Sequence, residues 1–160
     1  PHLVDALILV STTCREDPET VANMSERLEN MRQTGARAGA EIAARSIFSA
    51  GFRDANPGYI EAFIDARAAQ PQAPLISAMA ALKDFDYSAG LKTLDIPTLV
   101  ISGSEDALTP PHAVREVAGH IPNAELVEMP GAGHIIPAEQ PGAFYETIDT
   151  FLSRHYAAAN

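Results

Sequence analysis

Ile96-Pro97-Thr98-Leu99-Val100-Ile101-Ser102-Gly103-Ser104-Glu105-Asp106-Ala107-Leu108-Thr109-Pro110 and, further along, Ala124-Glu125-Leu126-Val127-Glu128-Met129-Pro130-Gly131-Ala132-Gly133-His134 decide how this sequence folds. Pro97 to Gly103 is a short apolar run followed by a polar turn, the pattern of a strand buried on both faces. Ala124 to Met129 alternates more, as a strand nearer a sheet edge does. Between them Pro110-Pro111 opens a helical stretch with Val114, Val117 and Ala118 on one face. Proline is tolerated there because its missing N–H would be unpaired in a first helical turn anyway. After Pro141, the residues Phe144, Ile148, Phe151 and Leu152 recur at helical spacing and form one apolar stripe. Strand, helix, strand, helix in succession predicts a parallel α/β sheet.

Working outward, Asp5 to Val10 is another apolar run, ended by Ser11-Thr12-Thr13, and reads as a further strand buried on both faces. Residues 15–90 carry no strand signal. Asp17-Pro18 starts a helix with Val21, Met24, Leu28 and Met31 on one stripe, and an alanine-rich helical stretch runs from Ala36 to Ser49, closed by Gly51. Asn56-Pro57 starts another helix with Ile60, Phe63 and Ile64, and Pro74 one with Leu75, Met79 and Leu82. The methionines Met24, Met31 and Met79 fall among these apolar stripes and are expected in the core of the helical block. The expected organisation is an α/β core from residues 1–14 and 91–160, with residues 15–90 as a helical cap inserted between two parallel strands.

At 160 residues, 46% of them hydrophobic, the chain suffices for one domain with a core of its own. Eleven Lys and Arg against 21 Asp and Glu give a net charge of -10, which argues against a nucleic-acid or anionic-membrane partner. The single cysteine, Cys14, excludes an internal disulfide and a Cys-rich zinc site. No apolar run has membrane-spanning length and no signal-peptide pattern opens the sequence, so a cytoplasmic location is expected. The sequence begins at Pro1 without methionine and enters an apolar strand within a few residues, which reads as part of a longer translation product.

Asp106 lies just past the carboxyl end of a buried strand, the edge at which open parallel sheets place their ligand sites. His134 lies on a glycine-bearing loop just past the next strand. The separation, 134 − 106 = 28 residues, is one helix-and-strand unit, so both side chains are expected on one rim. An acid beside an imidazole fixes the ring tautomer and stabilises the imidazolium formed when histidine takes a nucleophile's proton. Taken alone, Asp106 reads as a turn acid and His134 as a loop histidine capping a carbonyl; their joint placement favours the chemical reading. Leu108, Ile135 and Ile136 adjoin the two and are candidates for an apolar substrate pocket, with Ser11 and Thr12 as candidates for the same wall. His2, His112, His120 and His155 show no metal-ligand spacing and are expected in solvent, so no metal site is expected. Cys14 reads as a small residue after a strand.

The words P-T-L-V-I-S-G-S-E-D-A-L-T-P-P and I-P-N-A-E-L-V-E-M-P-G-A-G-H-I-I-P-A-E-Q-P resemble the C-terminal half of the α/β-hydrolase fold superfamily, in its esterase, 3-oxoadipate enol-lactonase and haloperoxidase-like branch. The likeness is strongest over residues 91–152; Asp5 to Thr13 resembles the family's strand six, and residues 15–90 match only as a helical cap. The resemblance implies an acid after strand seven and a histidine after strand eight, hence Asp106 as triad acid and His134 as triad base, with no cofactor. It also implies a G-x-S-x-G nucleophile elbow. None is present: Ser49 has Gly51 but Ile47, Ser88 has Gly90 but Asp86, the remaining serines lack both glycines, and Cys14 lies between Thr12 and Glu16. In the family the elbow precedes strand six, which here means before Pro1.

The resulting expectation is the C-terminal portion of a serine hydrolase acting on small carboxylic esters or lactones, supplying acid and base but not the nucleophile. The alternative is a non-catalytic binding or oligomerisation module on the same fold. A strand order of six, seven, eight leaves the first strand one neighbour, so the isolated chain is not expected to be a stable monomer. An N-terminal half or another copy of the chain would complete the sheet.

Overall fold

Thr98–Gly103 is the middle strand, β2, of a three-stranded parallel sheet, and every one of its residues is buried. β1 (Leu7–Val10) pairs along one side of it, with Leu9 opposite Val100, and β3 (Glu125–Met129) along the other, with Val127 opposite Ile101. The computed structural model describes residues 3–15, 33, 35–71, 73, 74, 77, 78 and 85–156. The strand order β1-β2-β3 is the one expected, but β1 departs from expectation in burial. It is half-buried at all four positions rather than buried on both faces, because among the described residues only β2 lies beside it.

Alternation along β2 builds a core on each face of the sheet. Leu99 and Ile101 point to one side and pack with Met129, Ala132, Ile136, Phe144 and Phe151. Val100 points to the other side, with Cys14, Val114, Val117 and Ile121. The helices that supply these residues follow their strands. Numbered in chain order, the helices with assigned bounds are α1 (Ala50–Ala55), α2 (Pro57–Ala68), α3 (Ser88–Leu91), α4 (Pro111–His120), α5 (Ile136–Glu139) and α6 (Pro141–Tyr156). α4 covers the Val100 face and α6 the Leu99 face, giving a three-layered α/β/α core.

Residues 35–47 are helical, as the alanine-rich pattern predicts, and Ala40, Ala43, Ala44 and Ile47 form one buried stripe. Small side chains on that stripe let α2 come close; Ile64 and Phe48 complete the cluster, and the Phe48 ring meets those of Phe52, Tyr59 and Phe63 at centroid distances of 5.5, 5.8 and 5.0 Å. Arg37 ties the same two helices on their outer side through Glu61 and Asp65. Gly51 does not close the first helix. The break falls at Phe48-Ser49, where Ser49 Oγ accepts the Phe52 N–H at 3.3 Å and caps α1, leaving Gly51 inside the new helix. The helix predicted from Asp17-Pro18 and most of that predicted from Pro74 lie outside the described residues.

The chain leaves the sheet for this helical layer, and returns from it, along a two-stranded neck. Arg15 and Asp86 form an antiparallel bridge, and the Tyr87 N–H donates to the Cys14 carbonyl at 2.8 Å. Among the described residues no helix is long and apolar enough to cross a membrane.

Candidate active site

Parallel strands end on a common edge, so the turn after β2 and the loop after β3 meet there. Their backbones are stitched together: Ser104 and Glu105 donate to the carbonyls of Met129 and Ala132 at 3.0 and 2.8 Å, and Gly131 donates to Ser104 Oγ at 2.8 Å. The approach is close enough to dictate glycine at position 103. A Cβ there would come within 2.1 Å of the Gly133 carbonyl oxygen and 2.5 Å of that of Ala132.

Asp106 is held by this turn with its side chain wholly buried. Oδ1 accepts the N–H groups of Leu108 and Thr109 at 2.9 and 2.8 Å, while Oδ2 faces His134 Nδ1 at 2.9 Å. A carboxylate so surrounded acts as acceptor, so the proton on this ring nitrogen belongs to Nδ1 and Nε2 is left with its lone pair. The His134 side chain is 26% exposed, against none for Asp106. The arrangement therefore backs a partly exposed imidazole with a buried acid held by three hydrogen bonds.

His134 is fixed from a different direction. Its backbone N–H donates to the Ile47 carbonyl of the helical layer at 2.7 Å. Glu139 Oε2 accepts the N–H groups of Gly133 and Ser49 at 3.0 and 3.2 Å, joining the histidine loop to the start of α1. Glycine at 133 follows from this crowding: a Cβ would come 2.6 Å from the Ile47 carbonyl oxygen and 2.7 Å from the Ser49 nitrogen. On the acid side, Glu105 Oε2 accepts the Ala50 N–H at 3.2 Å. Glu105 and Glu139 escaped sequence reading. The hint available was an acid beside Asp106 and another five residues past His134, but their partners lie far off in the chain.

This chain belongs to the α/β-hydrolase fold family. The family model matches residues 1–141. Among curated relatives, RutD of Caulobacter sp. (strain K31), a protein named for carbamate hydrolysis, is 29% identical over 155 residues, covering 96% of this chain and 58% of its own length. Among solved structures, an esterase from Thermogutta terrifontis is 28% identical with a TM-score of 0.77, covering 95% of this chain and 57% of that one. The enol-lactonase from Burkholderia xenovorans LB400 is 27% identical with a TM-score of 0.80, covering 94% and 56%. The chain thus spans a little under three fifths of the length of these relatives. The structural likeness extends over 94–95% of this chain.

The other sequence candidates fall in distinct places. Leu108 and Ile135, each close in sequence to the Asp106–His134 pair, pack against the Ile47–Phe48 cluster of the helical layer and join the two. Ile136 is fully buried in the core beneath the sheet and is a packing residue. Ser11 and Thr12 follow the end of β1 on the same rim; Ser11 is buried with a φ of 47°, and its Oγ has no hydrogen-bond partner. His112 is exposed as expected, and His155 lies against the Phe151 ring and Glu125. His120 is not in solvent: it is one-quarter exposed, with Nε2 3.5 Å from Glu116 Oε1. The fold also brings the Cys14 thiol within 4.8 Å of these two side chains, a contact invisible to spacing along the chain.

Proposed function

We propose that this chain is the C-terminal portion of a cofactor-free serine hydrolase, with Asp106 as the acid and His134 as the base of a catalytic triad. One observation carries the reading: the 2.9 Å contact between His134 Nδ1 and an Asp106 carboxylate that is itself buried and doubly anchored. In this reading a serine outside the present sequence attacks a carbonyl, and His134 Nε2 takes its proton and later returns it to the leaving group. Water then resolves the acyl-enzyme. Asp106 orients the ring and stabilises the imidazolium. Residues 15–90 act as the cap over the rim, and Leu108, Ile135, Ser11 and Thr12 line the pocket beneath it. The names of these relatives support a small ester, lactone or carbamate as substrate.

The partner in this reading is the polypeptide that pairs with β1. Its edge, unpaired among the described residues, and its half-buried apolar residues support either an N-terminal half or a second copy of the chain. Sedimentation at low micromolar concentration should find assembly; a compact 17 kDa monomer that unfolds cooperatively would remove the partner from the proposal. The catalytic reading is tested by a chromogenic short-chain ester and a serine-directed phosphonate, followed by mass spectrometry of every polypeptide present. Turnover with an adduct on a partner serine is the expected result. The absence of a G-x-S-x-G elbow favours one rival, a binding or oligomerisation module, which predicts neither turnover nor adduct in any assembly.

A further inference from the structure

The neck of the helical layer carries a second cluster of reactive side chains. Cys14 Sγ, a Glu116 carboxylate oxygen and a His120 ring nitrogen lie within 4.8 Å of one another. We propose that these three side chains form a site for a divalent cation of the zinc class, which clamps the neck to α4.

The donor set selects the metal. A thiolate, an imidazole and a carboxylate together suit a borderline-soft ion such as Zn²⁺, whereas Mg²⁺ and Ca²⁺ take oxygen throughout. The fold then presents the donors on converging surfaces. Glu116 and His120 are one helical turn apart on α4 and share a face, and Cys14 reaches them from the start of the neck. Zinc bonds of about 2.0–2.3 Å at tetrahedral angles put donor atoms roughly 3.4–3.6 Å apart. His120 Nε2 and Glu116 Oε1 are already separated by 3.5 Å. Closing the remainder takes a shift of a little over 1 Å at most, within the range of a Glu or Cys rotamer adjustment.

Burial and charge fit the same ion. Cys14 is only 4% exposed, while the Glu116 and His120 side chains are 30% and 25% exposed, so one wall is dry and the mouth is open. An open mouth admits the ion and leaves a fourth position for water. Arg15 Nε donates to Glu116 Oε1 at 2.6 Å, which occupies one of about four acceptor directions on that carboxylate. Burial, and then the Glu116 charge, push the Cys14 thiol up from its ordinary value. Cation entry transfers the thiol proton to solvent and forms the S–metal bond with no change of oxidation state. Asp86 acts electrostatically on both Cys14 and Arg15. With the thiolate formed, Cys14, Glu116 and Asp86 against Arg15 leave two negative charges, which a divalent ion neutralises.

The test uses the full, untagged chain in the assembly in which it purifies, with Co²⁺ as spectroscopic probe and Zn²⁺ in competition with a chromophoric chelator. The expected result is one cation per chain, a thiolate-to-cobalt charge-transfer band, and a higher Tm with saturating Zn²⁺. Cys14→Ser should abolish the band, and both Cys14→Ser and His120→Ala should weaken Zn²⁺ binding at least about 10-fold. No band at stoichiometric Co²⁺, or Zn²⁺ affinity unchanged by His120→Ala, would leave the cluster an ion-pair network and overturn the proposal. His120→Ala alters a partly exposed residue at a helix end, so it decides the matter even if Cys14→Ser fails to fold.

Discussion

The turn that holds Asp106 and the loop that holds His134 leave the same rim of the same sheet, yet they are fixed by opposite means. Asp106 is set by its own neighbourhood: Gly103, Leu108 and Thr109 supply its backbone bonds, and its side chain has no exposure. His134 is set from a distance, by the Ile47 carbonyl and by the Glu139 carboxylate that joins Gly133 to Ser49. The acid belongs to the sheet; the base is positioned jointly by the sheet and the helical layer. A movement of residues 47–49 would therefore displace the imidazole more than the carboxylate.

Substitutions can break or sharpen that contrast. On the proposed function, the largest effect is expected from His134→Ala in an assembly that supplies the nucleophile, a loss of about 10⁴–10⁶-fold in kcat; near-normal ester turnover there would end the proposed assignment of the base. Asp106→Asn keeps the shape but favours the wrong tautomer, and should cost on the order of 10⁴-fold in kcat with little change in KM. A loss confined to KM would show that Asp106 does not act through the imidazole. Gly133→Ala drives a methyl group into the Ile47–Ser49 backbone and should cost about 1–3 kcal/mol in a denaturant melt. If base positioning depends on that contact, kcat falls with it; full activity in the variant would mean the helical layer does not hold the base.

Glu139→Ala comes next, removing an acceptor shared by two backbone N–H groups and costing about 1–3 kcal/mol, with Glu139→Gln restoring part of it. Equal stability of Ala, Gln and parent proteins would dismiss the tether. Glu105→Ala is the smallest, since its one bond to Ala50 is exposed; a change within about 0.5 kcal/mol is expected in the same melt. A larger loss would show the acid side to be as dependent on the helical layer as the base side.

Much of this could be read along the chain because the words that build it are short. Leu99 to Ile101 is an uninterrupted apolar run, and it became the middle of the fully buried central strand. Asp106 and His134 stand at strand ends one helix-and-strand unit apart, and that spacing suffices to bring them together when the strands pair in parallel. Gly133, within the quoted loop, was visible as a glycine but its reason was not, since the backbone it makes room for lies more than 80 residues earlier. β1 misled for a related cause. Leu7-Ile8-Leu9-Val10 has the composition of a strand covered on both sides, and composition reports what a strand needs rather than what neighbours it has.

The sequence alone determined the parallel α/β core, the helical character of 35–47 and α2, and the pairing of one acid with one histidine. The elements follow from side-chain periodicity and turn chemistry over fewer than about a dozen neighbouring residues, and the pairing from the 28 residues of one helix-and-strand unit between Asp106 and His134. Tertiary structure alone decided that Glu105 and Glu139 grip the helical layer and that Cys14 meets Glu116 and His120. Those contacts join positions 55 to more than 100 residues apart, where no local pattern constrains the geometry and only the packing of complete elements brings the atoms within reach.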